Sequence, residues 1–272
     1  MQLDPRASAA GVRLFAHDLV GSTNAEALAL ARTGLRGPLW ITARCQSAGR
    51  GRRGRSWISQ PGNLFATLLL TNPPAAEHWP ELSLVAALAI HDALVDCAPG
   101  LRPQFAIKWP NDVLLGGAKL GGVLVDGEAL LAGAAESDAG AVVIGIGVNC
   151  TTHPNETEFP ATDLAAAGVD VSAETLFSAL SIKMLGRLAQ WNRGTHFSTV
   201  RTDWLARAAG LGRPIRLRLA DAEVSGTFET IDDAGRLMLA LADGARRTIA
   251  SADVVALEGM ARPAHDAPGG EN

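Results

Sequence analysis

Four arginines and three glycines share nine consecutive positions, in the segment Gly49-Arg50-Gly51-Arg52-Arg53-Gly54-Arg55-Ser56-Trp57, which we call the arginine loop. Arginine carries a permanent charge on a planar fork that fits phosphate and carboxylate oxygens. Glycine lets backbone N–H groups come close to a ligand. Because the whole chain has a formal net charge of −4, this loop is a local exception. These residues predict a loop that closes over a polyanion.

The spacing of the glycines matches the sequence patterns of two phosphate-binding motifs, but the structural context that these motifs require is missing. Gly49, Gly51 and Gly54 fit the dinucleotide pattern, and Arg55 stands where a P-loop has lysine. Both patterns require a helix that begins at the loop. Here Pro61-Gly62 follows closely and would break such a helix. A solvated basic loop or a nucleic-acid-binding patch remains open on composition alone.

Further polar and glycine-rich segments accompany the loop, and Gln46 precedes it. They are Gly21-Ser22-Thr23-Asn24, Lys108-Trp109-Pro110-Asn111-Asp112, Lys119-Leu120-Gly121-Gly122 and Gly145-Ile146-Gly147-Val148-Asn149. In this order they resemble the catalytic domain of biotin protein ligases, also called biotin–[acetyl-CoA-carboxylase] ligases. The resemblance extends from about residue 12 to about residue 260. The arginine loop and the Lys-Trp-Pro-Asn-Asp segment are highly specific as a pair.

The resemblance implies a ligase reaction in two steps, with ATP and Mg²⁺ as cofactors and biotin as substrate. The biotin carboxylate attacks the α-phosphorus of ATP, pyrophosphate leaves, and biotinyl-5′-AMP forms. A lysine of a biotin carboxyl carrier protein domain then attacks this mixed anhydride and becomes biotinylated. Both steps bring negative charges together, so electrostatic stabilisation and positioning should dominate catalysis.

The same resemblance assigns roles to individual residues. The implied catalytic residues are Lys119, Arg52 and Arg50. The implied biotin-binding residues are Ser22, Thr23, Asn24, Gln46, Gly49, Arg50, Arg52, Lys119, Gly121 and Gly147. The implied ATP-binding residues are Arg52, Arg53, Arg55, Trp57, Lys108, Asn111, Asp112, Lys119 and Asn149. We expect the arginine loop to become ordered only with ligand, because dense like charge opposes its ordering.

Three of these residues also have simpler interpretations. Thr23 and Glu26 have the spacing of a capping box at a helix N-terminus. Asp112 is a candidate carboxylate near Mg²⁺, but an acid after asparagine in a turn is often only a cap. Lys108 either contacts phosphate or supports the turn. No certain metal ligand is predicted.

The order of periodic segments predicts two domains and a tail. We predict helices at about 23–32, 82–96, 172–192 and 199–209, and strands at 39–43, 63–70, 105–109, 113–115, 123–125 and 141–148. Four short strands with tight turns follow, at 215–219, 223–231, 236–241 and 246–249. The predicted fold is α+β: a mixed sheet packed with helices, class II synthetase-like by resemblance to biotin and lipoate ligases, then a small SH3-like β-barrel. The predicted domains are residues 1–210 and 211–260, with a disordered tail at 261–272.

Composition limits where the protein works. Of 272 residues, 47% are hydrophobic, which suffices for a sizeable core. The three cysteines are widely spaced and fit neither a disulfide framework nor a metal site, so we expect a reducing cytoplasm. We expect no signal peptide and no membrane span.

Alternatives for function and partners remain at this stage. A lipoate–protein ligase shares the expected architecture and chemistry, a nucleic-acid-binding module would use the arginine loop on phosphates, and an inactive scaffold is a third class. We expect no binding of operator DNA, because the motifs begin at residue 21. The sequence is compatible with a monomer or a homodimer.

Overall fold

The computed structural model describes residues 1–129 and 140–257. The predicted disordered tail and the last three residues of the predicted C-terminal domain lie outside the described residues. None of the helices within residues 1–129 and 140–257 combines the length and the hydropathy of a transmembrane span.

A seven-stranded mixed sheet forms the centre of the larger unit. Its strands are β1 (Arg13–Val20), β2 (Leu39–Gln46), β3 (Leu64–Thr71), β4 (Phe105–Lys108), β5 (Asp112–Leu115), β6 (Ala118–Ala129) and β7 (Gly140–Val148). Their order is β1-β2-β3-β7-β6-β5-β4. Strands β1 and β2 are parallel, and every other neighbouring pair is antiparallel. Strand β3 and most of β7 are buried, as their continuous apolar sequences predict.

Helices pack on this sheet and confirm the predicted α+β class. They are α1 (Pro5–Ala9), α2 (Thr23–Arg32), α3 (Glu81–Cys97), α4 (Ala173–Trp191) and α5 (Phe197–Leu205). Ser172 caps α4 as predicted, since its hydroxyl accepts the Thr175 N–H at 3.1 Å. Helices α3 and α4 lie against each other and against the sheet, where Trp40 of β2 meets Phe177 of α4 edge to face.

The predicted capping box at the start of α2 is wrong. The helix begins at Thr23, its N-cap is Ser22, and the Ser22 hydroxyl makes no capping bond. The Thr23 N–H and hydroxyl both donate to the Gln46 side-chain oxygen, at 2.8 and 3.1 Å. The amide of a neighbouring strand therefore satisfies a donor that a local cap would otherwise satisfy.

Two further differences have local causes. Strand β1 was not predicted because it is an edge strand whose side chains are mostly exposed, Leu19 among them. Helix α5 ends at Leu205 rather than near residue 209. The Ile107 N–H donates to the Arg207 carbonyl and the Ala209 N–H donates to the Ile107 carbonyl, so this backbone extends the edge of β4.

A separate antiparallel sheet of five strands follows, and it confirms the predicted SH3-like unit. Its strands are β8 (Pro214–Arg218), β9 (Glu223–Ile231), β10 (Leu237–Ala240), β11 (Arg246–Ile249) and β12 (Asp253–Leu257). The order is β11-β10-β9-β8-β12. Strand β12 was not predicted.

The two units share one apolar core. The Trp109 indole N–H donates to the Gly235 carbonyl at 3.0 Å. Trp204 of α5 meets Phe228 of β9, with ring centroids 6.4 Å apart. All three large side chains are buried. The exact boundary near residue 211 stays a prediction.

Candidate active site

A cavity of about 470 Å³ lies where the seven-stranded sheet, the arginine loop and β12 meet. Most of the predicted site residues line it. They are Ser22, Thr23, Asn24, Gln46, Arg50, Arg52, Arg55, Trp57, Lys108, Asn111, Asp112, Lys119, Gly147 and Asn149. Segments that are far apart in sequence are thus brought into one site.

Three predicted residues lie outside the cavity lining: Gly49, Arg53 and Gly121. A Cβ on Gly49 would lie 2.5 Å from the Trp57 carbonyl oxygen, and one on Gly121 would lie 2.7 Å from the Gly147 carbonyl oxygen. Both glycines therefore permit close backbone packing beside the cavity. Their assignment to ligand contact stays a prediction.

The N-terminus of α2 supplies one polar end of the cavity. Gln46 is held at both atoms of its amide, because its oxygen accepts from Thr23 and one N–H of its NH₂ donates to the Ser59 hydroxyl at 2.9 Å. The Ser22 hydroxyl forms no hydrogen bond with the described residues, although Ser22 is buried. Of these residues, Ser22 is the one with a hydroxyl free for a ligand.

Hydrogen bonds to strands β3 and β6 hold the side chain of Asn24. Its NH₂ donates to Asp126 Oδ2 at 2.8 Å and to the Leu124 carbonyl at 3.3 Å. Its oxygen accepts from Thr67 Oγ1 at 2.7 Å. A Cβ on Gly145 would lie 2.2 Å from Asn24 Oδ1, so the glycine makes room for this side chain.

Asp112 is a buried carboxylate in the site, and two ammonium groups flank it. Lys108 Nζ lies 2.8 Å from Oδ2, and Lys119 Nζ lies 2.7 Å from Oδ1. Burial alone would raise the pKa of Asp112, but the two lysines outweigh it and hold that pKa well below its usual range. The three groups form a cluster of net charge +1 when all are ionised.

Lys108 and Lys119 differ in their access to the cavity. The side chain of Lys108 is 7% exposed, against 27% for Lys119. Lys108 also donates to the Val254 carbonyl of β12 at 3.3 Å and lies 4.0 Å from the centroid of Phe159. Burial lowers the pKa of Lys108, while Asp112 opposes that shift.

A single carboxylate of β12 holds the arginine loop. Asp253 lies 3.6 Å from Arg52, 3.4 Å from Arg53 and 3.1 Å from Arg55, measured between the nearest charged atoms. Arg52 also donates to Asn111 Oδ1 at 3.3 Å. Burial lowers the pKa of Arg52, against the opposing effect of Asp253. The loop forms a 3₁₀ turn at residues 52–54, and whether it needs ligand to become ordered stays a prediction.

Trp57 and Arg50 also line the cavity on the side of the arginine loop. The Trp57 ring packs on the backbone of Gly147, where a Cβ would lie 2.6 Å from the indole. Lys119 Nζ is 5.3 Å from the Trp57 ring centroid. The indole therefore covers the backbone of Gly147, and the implied contact of Gly147 with biotin stays a prediction. Among the described residues, no hydrogen bond or ion pair occupies the Arg50 guanidinium, which lines the cavity.

Asn111 and Asn149, the two asparagines among the implied ATP-binding residues, are each anchored by the backbone. Asn111 donates to the Val123 carbonyl at 2.7 Å, and Asn149 donates to the Thr162 carbonyl at 3.0 Å. Asn149 is buried. Their orientations are thus fixed before any ligand binds.

The site does not fit Mg²⁺ as a protein-held ion. Within residues 1–129 and 140–257, no group of three or more His, Cys, Asp or Glu side chains could hold a metal. Asp112, the candidate carboxylate, is already neutralised by two lysines. Mg²⁺ retains several waters and is often bound through substrate phosphates, so it belongs with the nucleotide.

Two parts of the site were not predicted from the sequence. Asp253 and Val254 of β12 line the cavity, as do Glu156, Glu158 and Phe159 of the loop after β7. No local pattern marks Asp253, because its partners lie about 200 residues earlier in the chain. Glu156 and Glu158 are visible in the sequence as acids shortly after Asn149, but no motif marks them.

Comparisons with known proteins identify relatives of both units. Residues 18–149 match the Biotin/lipoate A/B protein ligase family, and residues 210–256 match the Biotin protein ligase C terminal domain. A biotin–[acetyl-CoA-carboxylase] ligase of Paracoccus denitrificans is 44% identical over 241 residues, which cover 86% of this chain and 96% of that protein. The corresponding ligase of Mycobacterium tuberculosis is 35% identical, with 87% of this chain and 86% of that protein covered.

Solved structures show the same fold. A biotin protein ligase from Aquifex aeolicus in complex with biotin and ATP superposes with a TM-score of 0.73 at 25% identity, covering 89% of this chain and 97% of that chain. The first match holds most of the cavity residues of the larger unit, and the second holds most of the C-terminal sheet, Asp253 included. The chain belongs to the biotin protein ligase family.

Proposed function

We propose that this protein is an ATP-dependent, AMP-forming biotin–[acetyl-CoA-carboxylase] ligase that activates biotin as biotinyl-5′-AMP. The observation that carries the proposal is the cavity in which Arg50, Arg52 and Lys119 converge from separate segments. Three cations around one cavity suit a reaction that joins a carboxylate to a triphosphate. Two relatives that align with more than four fifths of this chain are named biotin–[acetyl-CoA-carboxylase] ligases.

The positive charges in the cavity favour adenylation, because this step joins two anionic reactants. A biotin carboxylate oxygen forms a bond to the α-phosphorus, the bond to the bridging oxygen breaks, and pyrophosphate leaves with the electron pair. Lys119 is the accessible ammonium of the Asp112 cluster, so it can approach both the carboxylate and the α-phosphate. Arg50 and Arg52 add positive charge where the anionic reactants repel each other. MgATP is the nucleotide substrate.

The remaining residues bind and orient biotin and the nucleotide. The free Ser22 hydroxyl suits the biotin ureido group, while Thr23 and Gln46 hold the N-terminus of α2 in place. Trp57 offers an aromatic face, and Asn111 and Asn149 are pre-oriented amides suited to the nucleotide. The arginine loop excludes water from the labile mixed anhydride.

Transfer needs an acceptor amine. We propose a lysine of a biotin carboxyl carrier protein domain: its neutral amine attacks the anhydride carbonyl, AMP leaves, and an amide forms. We further propose that the enzyme acts in the cytoplasm without binding operator DNA, as a monomer or homodimer. The unpaired state of Cys45, Cys97 and Cys150 supports a reducing compartment.

Pyrophosphate release with ATP and Mg²⁺ tests the proposal, with biotin, lipoate, octanoate or no acid added. We expect release with biotin and a loss of about 100-fold or more in Lys119→Ala and Arg52→Ala, since each removes a cation that stabilises developing charge. Release that depends on lipoate instead would favour the lipoate ligase alternative. A folded protein that releases pyrophosphate with none of the acids would refute the ligase proposal.

A further inference from the structure

We infer that Lys108 is a positioning residue for adenylation: its buried ammonium neutralises Asp112, so that Lys119 can leave this carboxylate and bind the reacting oxygens. The inference rests on the proposed function and assigns a role that the motif itself does not specify. It starts from the shared carboxylate of Asp112, which has one lysine on each oxygen.

The two lysines cannot exchange roles. Lys108 is 7% exposed and is fixed by the Val254 carbonyl and the Phe159 ring as well as by Asp112. Lys119 is 27% exposed, lines the cavity beside Trp57 and has Asp112 as its ionic partner. Lys119 is therefore the ammonium that can move toward a ligand, and Lys108 is the one that stays.

Movement of Lys119 requires that Asp112 remain compensated. A buried carboxylate that loses all its partners carries a large desolvation penalty, which would hold Lys119 in place. With Lys108 2.8 Å away, Asp112 keeps one ammonium when Lys119 turns to the substrates. The cluster thus contributes one net positive charge to the reaction, through Lys119.

The space around the cluster supports this movement. A Cβ on Gly122 would lie 3.3 Å from Asp112 Oδ1 and 3.4 Å from Lys119 Nζ. The absence of a side chain at Gly122 leaves room for Lys119 to change position beside the carboxylate.

The test is a double-mutant cycle on adenylation with Lys108→Met, Asp112→Asn and the double variant. Lys108→Met should lower kcat/KM for pyrophosphate release about 10- to 100-fold, because Asp112 then holds Lys119 as its last partner. Adding Asp112→Asn removes that hold and restores the net charge of +1. The double variant should therefore be at least about fivefold more active than Lys108→Met alone.

A purely structural role for Lys108 predicts that kcat/KM follows thermal stability across the cycle, because removing both members of a buried ion pair also relieves the uncompensated charge. Activity that follows the unfolding temperature, a double variant at or below Lys108→Met, or wild-type activity in Lys108→Met would each overturn the inference. Lys183→Met is the matched control: Lys183 pairs with Asp96 at 2.6 Å, neither residue lines the cavity, and the variant should keep wild-type activity. Thermal unfolding of each variant verifies folding, and Lys108→Gln replaces Lys108→Met in the cycle if the latter does not fold.

The same assay separates this inference from the proposed function. No biotin-dependent release from the wild-type protein would refute the ligase proposal and this inference with it. Wild-type release without rescue in the double variant would refute the role of Lys108 alone.

Discussion

At the scale of single residues, Gly145 determines the shape of the cavity around Asn24. We predict that Gly145→Ala destabilises the fold by about 1–3 kcal/mol, because the new methyl group would collide with Asn24 Oδ1 and disturb bonds to Asp126 and Thr67. Urea denaturation measures the loss, and biotin binding should weaken in parallel.

Gly186→Ala is the matched control for that substitution. Gly186 lies inside α4, and a Cβ there meets nothing within 4 Å. Alanine at a helix interior should therefore stabilise the protein by about 0.5–1 kcal/mol. Equal stability of the two variants would show that Asn24 relaxes freely and that its network does not constrain the site.

At the scale of elements, the arginine loop depends on β12. We predict that Asp253→Asn makes trypsin cleave at residues 50–55 several times faster, because the three arginines lose their common carboxylate and their mutual repulsion opens the loop. Mass spectrometry of the first fragments locates the cut. Biotin with ATP should restore protection, since the anions replace the lost charge.

The control for this prediction is Asp221→Asn, in the turn between β8 and β9 and outside the Asp253 cluster. It should be cleaved at the wild-type rate. If Asp253→Asn were no more sensitive than Asp221→Asn, the loop would be held by its hydrogen bonds to Ser251 and Ala252 instead.

Elements that depend on local sequence patterns were predicted correctly, whereas features that depend on distant residues were not. Helix α3 and the β5–β6 hairpin follow from periodicity and turn residues, because local patterns dictate them. The motifs located the residues that now line one cavity. The start of α2 was misassigned because Gln46, over 20 residues away, satisfies the Thr23 N–H.

Long-range partners explain the other omissions. Asp253 contacts the arginines only because the fold places β12 beside the arginine loop. Nothing near Asp253 in sequence indicates that contact. Strand β1 has one paired edge and an exposed, mixed sequence, so its alternation is weak. The Lys108–Asp112 pair is visible as an i,i+4 spacing, but the convergence of Lys119 on the same carboxylate depends on the β5–β6 register.

At the scale of the whole molecule, the two sheets should unfold together. Trp109 donates to Gly235, Arg201 donates to the Ile231 carbonyl, and Trp204 packs on Phe228, so the C-terminal sheet shares its core with the larger unit. We predict a single urea transition that coincides in far-ultraviolet circular dichroism and tryptophan fluorescence. Trp204→Ala should lower the free energy of unfolding by about 3–5 kcal/mol by leaving a cavity at this junction. Leu19→Ala, at a side chain 63% exposed, should change it by less than about 0.5 kcal/mol. Two separate transitions in the wild-type protein would contradict this prediction, and would mean that Asp253 reaches the arginine loop from a unit that opens independently.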